Sequence, residues 1–187
     1  MARTTAIGCR AHSGWAVIVA VAGTLAAPVV LERKRIELLD GSLPVQPYHA
    51  AAESGLSRAE TTGLITRVED LAATAAAEAF GEMAAEVRAN GSTVAGVAIV
   101  VNDRRLPHDL DQILRSHPLL HAAEGDLYED ALVEGAVRAG LHPQRLAASL
   151  SIPSNVNTLG RSLGPPWQKD HKMAASGALS LLATAQG

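Results

Sequence analysis

The sequence predicts an α/β protein built on a five-stranded mixed sheet, with a three-stranded antiparallel meander, two parallel strands and flanking helices. Three observations lead to this prediction. Residues 1–39 divide into three strand-like segments separated by short turns. A long helical segment follows, and then a second apolar run at residues 93–101. A strand–helix–strand order of this kind places the two strands in parallel with the helix against the sheet.

The first 39 residues have two interpretations, because residues 15–31 form the only long apolar run of the chain. In the first, they form the meander, with turns at Gly14 and Gly23. In the second interpretation, a short basic segment precedes a hydrophobic segment that ends in small residues, as in a secretion signal or membrane anchor. The block is rich in Val and Ile, as buried strands are, and its 17 residues are few for a bilayer span. We therefore expect strands and no membrane partner.

Length and composition restrict the classes of function. A chain of 187 residues is most simply one domain covering 1–187, large enough for a substantial core. The formal net charge of −3 gives no overall basic excess for nucleic acid or an anionic membrane. The single cysteine, Cys9, excludes an intramolecular disulfide, so we expect a reducing, cytoplasmic location and a packing role for this thiol.

The remaining segments are assigned from capping and turn residues. Residues 42–55 read as a loop because they contain Pro44 and Pro47. Ser57 and Glu60 form a capping box that begins a long helix, which ends at Asn90 and Gly91. Further predictions are a helical stretch over 109–140 with a break near Pro118, a weak strand at 145–152, a loop at 155–167 and a closing helix at 169–183.

Four segments carry a resemblance to a known family. They are IGCRAHSGWAVIV (7–19), VVLERKRIELLD (29–40), GVAIVVND (96–103) and DHKMAASGALSLL (170–182). Their order resembles the ribonuclease H-like fold, and within it the Holliday-junction resolvases, over most of the chain except residues 42–55. The resemblance implies nuclease chemistry with two Mg²⁺ or Mn²⁺ ions held by carboxylates, one at the end of the first strand and others on the last helix.

The chain departs from that pattern where the metal ligands are expected. Arg10 stands at the end of the first strand, where the family has a metal-binding aspartate, and a guanidinium repels cations. Asp103 is the one acid close to the end of the fourth strand. Asp170 precedes the expected positions, which align with Met173 and Ser176, by about one helical turn. We therefore expect a degenerate site, with no metal, no cofactor and no metal-dependent hydrolysis.

The polar residues left at this edge suggest alternatives to a metal centre. Arg10, His12 and Lys169 are candidates for binding an anionic group, either a small phosphate or carboxylate or the backbone of a nucleic acid. Asp103, Asp170 and His171 are the candidate catalytic residues, as a His–Asp acid–base pair or as the acids of a divergent nuclease using Mg²⁺ or Mn²⁺. The alternative without a function is that these polar residues are ordinary solvated loop residues, with Arg10 paired to Asp103 or Asp170.

Two further features have alternative explanations. His117 and His121 lie four residues apart with Glu124 following, as in metal sites on a helix, although Pro118 between them favours capping roles. The acidic run at 126–134 reads as a solvated helix face. The alanine-rich residues 72–79 fit either an internal core or a homodimer face. A protein that binds a partner without hydrolysis is the function that the sequence favours.

Overall fold

A five-stranded mixed sheet forms the centre of the computed structural model, which describes residues 3–102 and 104–186. The strands lie in the order β3-β2-β1-β4-β5. The antiparallel β1, β2 and β3 form the predicted meander, and β4 and β5 extend the sheet in parallel to β1. Their bounds are β1 Arg3–His12, β2 Trp15–Gly23, β3 Pro28–Glu37, β4 Ser92–Val101 and β5 Pro143–Ala147. The predicted fold class is confirmed.

Helices cover both faces of the sheet because its central strands are apolar on both sides. On β4, Val97 and Ile99 pack in one hydrophobic cluster with α2 and α4, while Ala98 packs in the other with α6. The helices are α1 Pro47–Ser54, α2 Arg58–Ala89, α3 Leu110–Leu114, α4 His117–Arg138, α5 Val156–Leu159 and α6 Lys169–Gln186, with a 3₁₀ turn at Gly160–Leu163. The molecule thus has three layers, with α6 against one face, where Val156 of the short helix α5 is buried in the same cluster.

The apolar run near the beginning of the chain is part of the sheet core. Ile18, Val19 and Ala20 of β2 are fully buried, and the turn before them uses Gly14 at φ 80°. Leu38 N–H also donates to the Gly14 carbonyl, which ties the end of β3 to this turn. Among the described residues, no helix is both long and apolar enough to cross a membrane.

Two local predictions are wrong, and the predicted break near Pro118 is present slightly earlier, at residues 115–116. Residues 47–54 form α1 instead of a loop, because Pro47 lies in the first helical turn, where its missing N–H has no partner to lose. Pro118 takes the same place in α4, so the break precedes His117 and the helix continues to Arg138. The segment 155–167 contains α5 and the 3₁₀ turn. By contrast, the capping box of Ser57 and Glu60 is present as predicted.

The alanine-rich part of α2 packs inside the chain. Ala72, Ala73 and Ala76 are fully buried, and α4 approaches them closely at Gly135. Core packing therefore accounts for these alanines without a second copy of the protein.

Candidate functional site

The candidate site lies at the edge of the sheet where the parallel strands β1 and β4 end. Arg10 is paired in register with Val100, so the residues that follow both strands meet at this edge. Helix α6 begins beside this edge of the sheet, as shown by the contact of Asp170 with His12 at the end of β1. The edge therefore brings together the three segments that the sequence assigned to it. Asp103 lies outside the described residues.

Arg10 is held by groups at the end of β4 and on α4. Its Nη1 donates to the Val100 carbonyl at 2.8 Å, and its Nη2 donates to Asn102 Oδ1 at 2.9 Å. Nη1 also lies 3.8 Å from Oε1 of Glu129, and the two side chains are 13% and 4% exposed. Among the described residues, the ion-pair partner of Arg10 is thus Glu129 and not Asp170, which contacts His12 instead.

Glu129 is a buried carboxylate that sequence reasoning missed. It accepts hydrogen bonds from the Asn102 backbone N–H at 3.0 Å and from Asn102 Nδ2 at 3.2 Å. Burial raises the pKa of Glu129, while the Asn102 hydrogen bond and the Arg10 charge oppose that shift. The prediction of a solvated acidic face on α4 is wrong for this residue, because α4 packs on the sheet where β4 ends.

His12 and Asp170 form a second polar contact at the same edge. His12 Nε2 lies 3.2 Å from Asp170 Oδ2. The His12 ring stacks on Trp15, with centroids 4.2 Å apart and planes 12° apart. The Arg35 guanidinium lies 4.0 Å from the centroid of the Trp15 ring, from the strand on the other side of β2. His12 is therefore oriented by both an aromatic ring and a carboxylate.

His171 and Lys169 occupy the first turn of α6 in different environments. His171 is 8% exposed, and its Nδ1 accepts the Gln168 backbone N–H at 3.2 Å. Burial lowers the pKa of His171, the nearby Arg33 lowers it further, and Asp170 opposes both. His171 therefore caps the beginning of α6 as a hydrogen-bond acceptor, and Asp170 contacts His12 instead. Lys169 is exposed.

The positions where the resemblance implies acids on α6 are part of the core. Met173 and Ser176 are both buried, and Ser176 Oγ donates to the Lys172 carbonyl within the helix. Cys9 next to Arg10 is also fully buried, and burial raises the pKa of its thiol. The cysteine therefore packs as predicted and is an unreactive thiol.

Exposed cations lie in the segments that follow β4 and begin α6. Arg104 and Arg105 follow β4, and Lys169 begins α6; all three are exposed. The structure gives them no ion pair with any residue in 3–102 or 104–186. These three cations have no ion-pair partner among the described residues, whereas Arg10 and His12 are each matched by a carboxylate.

One further motif is present in the sequence without its structural context. Residues 160–164 read GRSLG and match the G-x-S-x-G pattern of serine hydrolases. That pattern marks a nucleophile only at a sharp turn between a strand and a helix. Here it forms the 3₁₀ turn Gly160–Leu163 after the short helix α5, so Ser162 is not at a nucleophile elbow.

The sheet order, the parallel β1 and β4, and the placement of α6 define a ribonuclease H-like fold. Two solved structures of RuvC from Thermus thermophilus, one of them in complex with a Holliday junction substrate, share this fold. Each matches with a TM-score of 0.51 and 14% sequence identity over 97% of this chain and 96% of the other. At that identity the similarity shows the fold alone. No protein-family model and no curated protein matches the sequence.

Proposed function

We propose that this protein is a ribonuclease H-like binding protein that does not perform metal-dependent hydrolysis. The observation that carries the proposal is the position of Arg10, whose guanidinium bonds the end of β4 at the edge where the family resemblance implies a metal ligand. A pair of Mg²⁺ or Mn²⁺ ions needs oxygen ligands that face a common space. A fixed cation in that space opposes metal binding by charge repulsion and by occupying volume.

The described acids at this edge support the same proposal. Glu129 accepts hydrogen bonds from Asn102 and faces Arg10, and Asp170 bonds His12. Each carboxylate is therefore already committed to a cationic or polar partner. The opposing hypothesis is a divergent nuclease in which Asp103, Asp170 and His171 act as the catalytic residues with Mg²⁺ or Mn²⁺.

A second proposal concerns the partner. RuvC has been solved with a Holliday junction substrate, and the rim of this edge carries Arg104, Arg105 and Lys169 without acidic partners among the described residues. We propose that branched DNA binds at this rim through its phosphates. Because the net charge of the chain is −3, we expect DNA to contact only this rim. Contacts to phosphates make such binding sensitive to salt. A small phosphate or carboxylate bound by Arg10, His12 and Lys169 is the alternative ligand.

The test is a mobility-shift and cleavage assay on a four-way DNA junction, with Mg²⁺ or Mn²⁺ present and at several salt concentrations. We expect a shifted complex and no cleaved product. Neutralising Arg105 and Lys169 together should weaken binding and lower the salt slope by about 2, since each lost phosphate contact lowers it by about 1. The matched control is Arg67→Ala with Arg88→Ala, which removes two exposed cations of α2.

The outcomes separate the hypotheses. Metal-dependent cleavage that is lost in Asp170→Asn or Asp103→Asn contradicts the binding proposal and supports the divergent nuclease. Absence of a shifted complex removes branched DNA as the partner. A thermal shift with inorganic phosphate that Arg10→Ala abolishes would instead support the small anionic ligand.

A further inference from the structure

Three histidines from two helices converge on the α2 and α4 side of the sheet. His49 lies in α1, and His117 and His121 lie one turn apart at the beginning of α4. One ring nitrogen of each lies within 4.8 Å of the others, and the Nε2 atoms of His117 and His121 are 3.1 Å apart. The sequence favoured capping roles for this pair because of Pro118. The first-turn position of Pro118 leaves the spacing of four residues on one helix face intact.

A buried carboxylate fixes the orientation of His49. Glu124 Oε1 accepts the backbone N–H groups of Tyr48 at 2.9 Å and His49 at 3.2 Å, and lies 3.3 Å from His49 Nδ1. Nδ1 therefore carries the proton that faces the carboxylate, which leaves a lone pair on Nε2. That nitrogen is buried and has no hydrogen-bond partner in the described part of the chain. Glu124 itself is 1% exposed.

We propose that His49, His117 and His121 bind one Zn²⁺ ion. Imidazole nitrogens are preferred zinc ligands, and Zn–N distances near 2.05 Å in a tetrahedron place ligand nitrogens roughly 3.3 Å apart, close to the separation seen for His117 and His121. The hydrogen bond from His49 to Glu124 is the kind of carboxylate contact that orients a metal-binding histidine. This proposal is independent of the proposed binding function.

The surroundings define the open side of the site. His117 and His121 are exposed, so a fourth coordination position faces solvent and takes water or a ligand atom. Arg104 is a cation close to the cluster, and its Nη1 lies 3.5 Å from the His121 backbone carbonyl. Glu124 provides the negative charge behind His49. Three protein ligands with one open position is the arrangement of catalytic zinc sites.

The test uses the full chain without a histidine tag, stripped of metal by a chelator. Calorimetric titration with Zn²⁺ should give saturable binding of one ion per chain, and Co²⁺ should produce the visible absorption of a tetrahedral nitrogen site. His117→Ala and His121→Ala should each weaken Zn²⁺ binding at least 10-fold. Both residues are exposed, so these variants keep the fold. Glu124→Gln should weaken binding by about 10- to 100-fold with unchanged stoichiometry.

His108→Ala and His142→Ala are the matched controls, because they remove histidines outside the cluster. They should bind Zn²⁺ as the unmodified chain does. The proposal is overturned if no saturable site is found, or if the control variants weaken binding as much as His117→Ala. In either case the three rings, with centroids 4.5 to 5.3 Å apart, form only an aromatic contact.

Discussion

At the scale of the residue, the edge of the sheet depends on the pairing of Arg10 with Glu129. A buried carboxylate is costly unless it is paired and hydrogen-bonded, and Glu129 is surrounded by Arg10 and by two donors of Asn102. The position of Arg10 could be predicted from the sequence, because the strand that contains it is strongly apolar. Its partner could not, since Glu129 becomes its neighbour only when α4 packs beside the end of β4.

The raised pKa of Glu129 predicts a pH-dependent effect of Glu129→Gln. Protonation of this carboxyl is favoured on folding, so its stabilising contribution is complete below its ordinary pKa of 4.5 and is lost as pH rises through the raised value. The unfolding free energy of the unmodified protein relative to Glu129→Gln should therefore fall with rising pH in this window and then level off. Urea unfolding of both proteins over a pH series measures it. A difference that increases with pH would mean that the Arg10 charge outweighs burial.

The lowered pKa of His171 predicts the opposite dependence. The buried ring resists protonation, so its contribution is present above its ordinary pKa of 6.5 and is lost as pH falls below that value. His171→Asn can accept the same Gln168 N–H but does not titrate. The unmodified protein should lose stability relative to this variant as pH falls from about 7 through the lowered pKa, as measured by thermal unfolding. Parallel pH profiles for the two proteins would contradict it.

At the scale of the element, close contacts between helices and the sheet depend on small residues. A Cβ atom at Gly135 of α4 would lie 2.5 Å from Ala76 Cβ and 2.9 Å from the Ala73 carbonyl oxygen. A Cβ at Gly8 of β1 would lie 1.8 Å from the Ala174 carbonyl oxygen of α6. At both positions the neighbouring helix, α2 at Gly135 and α6 at Gly8, lies so close that only glycine fits.

A matched pair of glycine substitutions tests this packing. Gly135→Ala should lower the unfolding free energy by about 1–3 kcal/mol, because the added methyl group overlaps α2. Gly81→Ala, also inside a helix but with nothing near the added methyl group, should raise it by about 1 kcal/mol through helix propensity. Denaturant unfolding of both variants measures the difference. Equal effects in the two variants would show that α2 and α4 are not packed this closely.

The elements themselves were largely predictable from local patterns. The meander, β4 and α2 follow from apolar runs, turn glycines and the capping box of Ser57, all of which act over a few residues. Helix α1 was missed because prolines were interpreted as helix breakers, although the first turn accepts Pro47. The histidine cluster could not be predicted in full, since His49 meets His117 and His121 only through the packing of α1 on α4.

At the scale of the whole molecule, the chain has a ribonuclease H-like fold with a polar edge where β1 and β4 end. The two parallel strands still end side by side, and α6 still begins next to them. Among the described residues of this edge, Arg10 is paired with Glu129 and His12 with Asp170, and Arg104, Arg105 and Lys169 are exposed. We infer that this edge is a surface for binding and not a centre for metal-dependent hydrolysis.

The most direct measurement of this inference is anomalous diffraction from crystals of the protein soaked in Mn²⁺. If Arg10 has replaced the metal ions, the anomalous difference map should contain no peak between the ends of β1 and β4 and the first turns of α6. Two peaks about 4 Å apart, coordinated by Asp170 and by acids beside β4, would contradict it and restore the two-metal nuclease.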